Sequence, residues 1–104
     1  MPEILVHFDE PIKDPSGRQY FAQAVGHERK DGLWEGWLEF IAVNEDAPAE
    51  GSGRETTQPN RADLEYWAQG LSRVYLQGAL ERAESLPAAR ERVRAQESRS
   101  SALA

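Results

Sequence analysis

The sequence predicts an α+β fold, in which a small antiparallel sheet packs against C-terminal helices. Two observations lead to this prediction. The segment 19–43, QYFAQAVGHERKDGLWEGWLEFIAV, contains two strand-like runs around Asp31-Gly32, a pair typical of a two-residue hairpin turn. From Arg61 onwards, apolar residues recur at spacings of three and four, the period of a helix with one buried stripe. We therefore expect three or four strands around the hairpin 19–43 and one kinked or two consecutive helices within 61–85.

Length and composition fit one small folded domain. The chain has 104 residues, of which 39% are hydrophobic and 29% are charged. We assign residues 1–86 to the domain. Residues 87–104 are expected to form a frayed helix and a disordered tail, because Val93 is the only branched apolar residue in AARERVRAQE.

The hairpin turn sets a predicted register. If Lys30 faces Leu33 across a two-residue turn, Val25 lies opposite Leu38. One face of the hairpin then collects the predicted core residues, which are Phe21, Val25, Trp34, Leu38, Phe40 and Ala42. The other face holds Ala22, Ala24 and Gly26 opposite Ile41, Glu39 and Trp37. A slip of one residue in the turn would exchange these partners.

The remaining elements follow from turn and cap residues. EILVHF (3–8) predicts a first strand and DPSG (14–17) a turn, whereas NEDAPAEGSG (44–53) has the composition of a loop. RETT (54–57) can add a short strand, and Asn60 stands where a helix N-cap belongs. Gly70 and Ser72 favour two helices, 61–69 and 73–85, over one. Their predicted core residues are Tyr66, Trp67, Leu71, Tyr75 and Leu80.

Charge and composition restrict the partners. The net charge is −6, but residues 86–104 carry four arginines against two glutamates, so the preceding residues carry −8. Such an acidic body disfavours nucleic-acid binding and attracts basic proteins. The chain has no cysteine, and its first ten residues resemble neither a signal peptide nor a membrane span. We therefore expect a cytoplasmic protein without membrane association.

Glu35, Trp37 and Glu39 alternate along one predicted strand and form the candidate partner-binding site. A large, rigid aromatic side chain with a charged rim is typical of interaction hot spots. The alternative is that this face packs against the helices of the chain itself. The two glutamates also suggest a glycosidase pair, but a short hairpin offers no obvious cleft for that chemistry.

Thr57, Asn60 and Arg61 form a candidate anion-binding site, because they stand at a predicted helix N-terminus. The alternative is that these residues only cap the helix and join it to the preceding strand. His7 and His27 have acidic neighbours, but their spacing matches no specific metal motif. No catalytic motif is present, and the sequence implies no metal and no cofactor.

The order of hairpin, short strand and helix, over about residues 19–85, resembles that of HicB-type antitoxin domains. The resemblance is one of topology and implies a basic toxin as partner. From the residues themselves we expect a non-enzymatic interaction module that binds a protein partner or itself. A small-molecule or anion-binding protein or enzyme, built on residues 57–61, is the alternative.

Overall fold

The computed structural model describes residues 2–44 and 50–84, and these residues form an α+β fold. The five antiparallel strands are β1 (Glu3–His7), β2 (Ile12–Lys13), β3 (Gln19–Glu28), β4 (Trp34–Ala42) and β5 (Glu50–Gln58). The two helices that follow are α1 (Arg61–Gln69) and α2 (Arg73–Glu84). The spatial order is β1-β3-β4-β5, and β2 pairs with the start of β3. The predicted tail, 87–104, lies outside the described residues.

The turn between β3 and β4 is longer than predicted. The amide of Arg29 donates to the carbonyl of Leu33 at 2.7 Å, and the amide of Gly32 donates back to Arg29. Gly32 has φ +88°, so three residues form the loop: a type I turn that ends in a left-handed glycine. The extra residue shifts the register by one position and sets Val25 opposite Trp37. The predicted pairing of Val25 with Leu38 is therefore wrong.

This shift changes which side chains of β3 face the helices. A Cβ atom added to Gly26 or Gly36 would lie within 2.6 Å of the Leu64 side chain in α1, so even-numbered residues of both strands face the helices. The prediction was correct for Leu38 and Phe40, but Phe21 and Val25 lie on the opposite face. The buried core under the helices instead contains Ile12, Tyr20, Ala22, Ala24, Leu38, Phe40, Ala42, Ala68, Leu76, Ala79, Leu80 and Ala83.

Strand β5 begins earlier than expected, at Glu50 within the predicted loop 44–53, of which residues 45–49 are not described. Its pairing with β4 has two register shifts, on either side of Trp37. At this bulge Gly53 has φ +79°, and the hydroxyl of Ser52 accepts a hydrogen bond from the amide of Leu38 at 3.1 Å. The serine therefore takes the place of a backbone acceptor that regular pairing would supply.

The N-termini of the two helices are capped as the sequence predicts. The side chain of Asn60 accepts a hydrogen bond from the amide of Asp63 at 2.9 Å, and the hydroxyl of Ser72 accepts one from the amide of Tyr75 at 3.2 Å. Gly70 ends α1 with φ −89° rather than in the left-handed conformation. The prediction that Tyr66 belongs to the core is wrong, because this side chain is 81% exposed on the outer side of α1.

Candidate functional site

One face of the sheet is not covered by either helix, and we call it the open face. Directly paired residues of antiparallel strands point to the same side, so the face consists of cross-strand rows. The central row crosses four strands through Ile4, Val25, Trp37 and Arg54. The neighbouring rows are His7-Gln23-Glu39-Gly51 and His27-Glu35-Thr57, and Phe21 pairs with Ile41 beyond the first of these.

Trp37 occupies the centre of the open face. Val25, its neighbour in the row, is only 2% exposed although no helix packs over it. The imidazole of His27 packs edge-on against the Trp37 ring, with 5.3 Å between the ring centroids. Trp37 itself stays partly exposed. The His27 ring therefore helps to orient the tryptophan, while part of the indole remains in contact with solvent.

The two acids beside Trp37 differ in their partners. An oxygen of the Glu35 carboxylate lies 3.1 Å from His27 Nε2, and the other lies 3.6 Å from Arg29 and 3.7 Å from Arg54. Glu39 makes no hydrogen bond or ion pair through its side chain among the described residues. The negative charge of Glu35 is therefore offset by neighbouring basic side chains, whereas the carboxylate of Glu39 is available to bind a partner.

Glu35, Trp37 and Glu39 thus share one face, as the alternation along β4 predicts. The expectation that Ala22, Ala24 and Gly26 share that face is wrong, because they lie under the helices. The central row also contains Ile4, Val25 and Arg54, which the sequence pattern did not predict. The Asp31-Gly32 pair is also compatible with a three-residue loop, and this was the signal that could have placed Val25 correctly. A bulge at Leu5 in β1 turns Ile4 towards the open face.

The predicted anion-binding residues do not converge. Thr57 pairs with Glu35 and so belongs to the open face, while Asn60 caps α1. The guanidinium of Arg61 donates to Glu3 at 2.8 Å and to Glu65 at 3.0 Å, and the hydrogen bond from Arg61 lowers the pKa of Glu3. The guanidinium of Arg61 is therefore already bonded to carboxylates, and the amide of Asp63 to the cap.

A second polar cluster ties α2 to β5. The carboxylate of Glu55, whose side chain is 7% exposed, accepts a hydrogen bond from the Tyr75 hydroxyl at 2.6 Å and forms an ion pair with Arg82. Burial, together with this carboxylate, raises the pKa of Tyr75. Arg82 also lies over the Tyr75 ring. Because each group has a partner, this cluster serves to hold the helix on the sheet.

A carboxyl pair lies where α2 ends against the turn between β2 and β3. One oxygen of Asp14 accepts hydrogen bonds from the amide and hydroxyl of Ser16 and from the amide of Arg18, and the hydrogen bond from the Ser16 side chain lowers the pKa of Asp14. Burial and the nearby Asp14 raise the pKa of Glu84 to about 7. Glu84 therefore carries a proton at mildly acidic pH and donates it towards Asp14.

Within residues 2–44 and 50–84, no three histidine or acidic side chains are arranged to hold a metal ion. Neither helix in this part of the chain has the length and apolar character needed to cross a membrane. No family model, curated protein or solved structure matches the chain. The HicB-type resemblance therefore remains a prediction from topology. The evidence on function comes from the open face.

Proposed function

We propose that this chain is a non-enzymatic protein-interaction module and that the open face is its binding surface. One observation carries the proposal. Within residues 2–44 and 50–84, a sheet face four strands wide, with Trp37 at its centre, is covered by neither helix, because both helices pack on the opposite side. Antiparallel sheets often expose one face to solvent, but such faces are then usually polar. Here the central row is apolar in three of its four positions.

The chemistry of the face supports binding of a protein surface. Ile4 is 60% exposed, and Phe21, Trp37 and Ile41 are partly exposed, so apolar area is available across three strands. Polar side chains such as Gln23 and Glu39 lie in the next row. An apolar centre with a polar surround is the usual arrangement of protein interfaces, and Trp is among the residues that most often dominate their binding energy.

The same geometry gives little support to catalysis by Glu35 and Glu39. The two acids lie on an open sheet face, and Glu35 is held by two arginines and a histidine. A general acid needs a raised pKa and a site that excludes water. An exposed surface with a charge-paired carboxylate supplies a binding rim instead.

The proposal is tested by a photo-crosslinking amino acid placed on either side of the molecule in living source cells. Gln23 lies on the open face, and Gln69 is an exposed glutamine at the end of α1, so the two replacements are matched in residue type. We expect protein adducts from position 23 and none of the same species from position 69. The proposal is wrong if position 23 gives no adduct, or if both positions give the same adducts.

A further inference from the structure

We infer that the partner bound by the open face is a second copy of this chain, an inference that rests on the proposed function. The distribution of charge is the first reason. The described residues hold fourteen acidic and eight basic side chains, a net charge of −6. The rows of the open face hold Glu35, Glu39 and Arg54, a net charge of −1. Two copies repel each other least when they approach through this face.

The local ion pairs reduce the repulsion further. Glu35 is offset by Arg29 and Arg54, which leaves Glu39 as the acid of the face without a partner among the described residues. The described residues outside these rows hold twelve acidic and seven basic side chains, a net charge of −5, so a strongly basic partner would find most of the negative charge elsewhere on the molecule. The apolar, nearly neutral face therefore suits a surface of the same character better than a basic one.

The size of the face is sufficient for a dimer. Four strands spaced by about 4.8 Å, with β4 extending over roughly 30 Å, give a flat area of about 600 Å² per copy. Two such faces bury about 1,200 Å² in total, which is the lower end of the range for specific interfaces. Face-to-face packing of two sheets is a common way to bury such surfaces. We therefore expect a reversible dimer of modest affinity.

Arg54 and Glu39 give the face a self-complementary pattern. Arg54 lies one strand from Trp37, about 5 Å away, and Glu39 lies one row from it, about 7 Å away in the perpendicular direction. The side chain of Arg54 is 61% exposed. A two-fold axis can pass through Trp37 and bisect the angle between the direction to Arg54 and the direction to Glu39. Such an axis brings Arg54 of each copy towards Glu39 of the other. This arrangement corresponds to the nearly orthogonal packing of two sheets.

Sedimentation equilibrium of the full chain over a wide concentration range tests the inference. We expect a monomer–dimer equilibrium that Trp37→Glu weakens by about a hundredfold or more, because it places a charge at the centre of the interface. Val74→Glu is the matched control, since Val74 is 83% exposed on α2, and it should leave the equilibrium unchanged. A dimer that survives Trp37→Glu, in protein whose circular dichroism is unaltered, would contradict the assignment.

A charge exchange provides a second measurement that does not depend on the tryptophan. Glu39→Arg or Arg54→Glu alone should weaken the dimer, and the double variant should restore it, because only the double variant re-forms both cross-copy pairs. A double variant weaker than both single variants would overturn the proposed orientation.

The crosslinking experiment separates failure of this inference from failure of the proposed function. If position 23 forms adducts with a second copy, both are supported. A chain that is monomeric at all concentrations, but whose position 23 captures a different protein, overturns the dimer and retains the interaction surface. If that protein is basic, the complex should dissociate with added salt. A monomer that gives no adduct overturns both.

Discussion

The covered and open faces of the sheet bury their side chains in different ways. On the covered face, small residues such as Gly26 and Gly36 let α1 approach, and Leu38 and Phe40 are fully buried between sheet and helices. On the open face, Val25 is 2% exposed although neither of the two described helices packs over it. Burial of a strand residue in this chain therefore does not reveal which face it occupies.

Phe40 and Ile41 are adjacent in β4 and point to opposite faces, so they give the most direct comparison. Phe40→Ala should lower the free energy of unfolding by about 3–5 kcal/mol, because it leaves a cavity beneath the helices. Ile41→Ala should cost about 1 kcal/mol, because the residue is partly exposed and neighbouring side chains can relax. Chemical denaturation at low protein concentration measures both. Equal losses would mean that the two faces do not differ in packing.

The close approach of α1 to the sheet predicts a smaller but clear effect. A Cβ atom at Gly26 would lie 2.5 Å from the Leu64 side chain and 2.7 Å from the carbonyl oxygen of Glu35. Gly26→Ala should therefore destabilise the protein by about 1–3 kcal/mol. At Gly51 no described atom lies within 4 Å of an added Cβ, so Gly51→Ala is the control. If both variants unfold at the same denaturant concentration, the helix does not approach the sheet as described.

The carboxyl pair at the end of α2 predicts a pH dependence of stability. The folded-state pKa of Glu84 is raised from 4.5 to about 7, so its protonated form is the one that folding favours. The stabilisation is fully present below pH 4.5 and is lost as the pH rises towards 7. After allowance for solvent screening, we expect a loss of about 1 kcal/mol over this window.

Glu84→Gln is the variant that isolates this effect, because an amide resembles the protonated carboxyl. It should be close to wild type in stability at pH 5 and more stable than wild type at pH 8. Urea denaturation at both pH values gives the two differences. The prediction is wrong if the stability of the wild type, measured relative to Glu84→Gln, rises from pH 5 to pH 8. Folding would then favour the ionised form of Glu84.

The corner at Thr57, Asn60 and Arg61 should show the smallest effect. Arg61 is exposed and paired with Glu3 and Glu65, so Arg61→Gln should change the stability of the protein only slightly. We also expect phosphate to leave the amide resonances of Ala62 and Asp63 unchanged, because Asn60 already binds the Asp63 amide and two carboxylates already bind the Arg61 guanidinium. Saturable shifts of these amides with added phosphate would restore the anion-binding alternative.

Local signals in the sequence identified four of the five strands, both helices and their N-caps, but neither β2 nor the register. Asn60 and Ser72 cap helices through contacts within three residues, and such short-range chemistry is legible in a sequence. The Asp31-Gly32 pair is compatible with loops of two or three residues, and the difference of one residue exchanges the faces of β3 relative to β4. Because β3 has apolar residues on both faces, alternation alone could not correct the error.

The candidate site shows the same limit. Glu35, Trp37 and Glu39 lie on one strand, so their common face followed from the period of two. Ile4 and Arg54 join Trp37 only through pairing across strands and through bulges in β1 and β5. The conformation of a bulge depends on packing between distant segments, and this information is not local in the sequence.

The irregular pairing of β1 and β5 has a consequence for behaviour at high concentration. These strands form the outer margins of the sheet, and a regular outer strand can recruit a strand from another molecule and begin a fibre. The register shifts bend both margins and interrupt the row of free backbone groups that such recruitment requires. Crowded copies should therefore resist ordered aggregation.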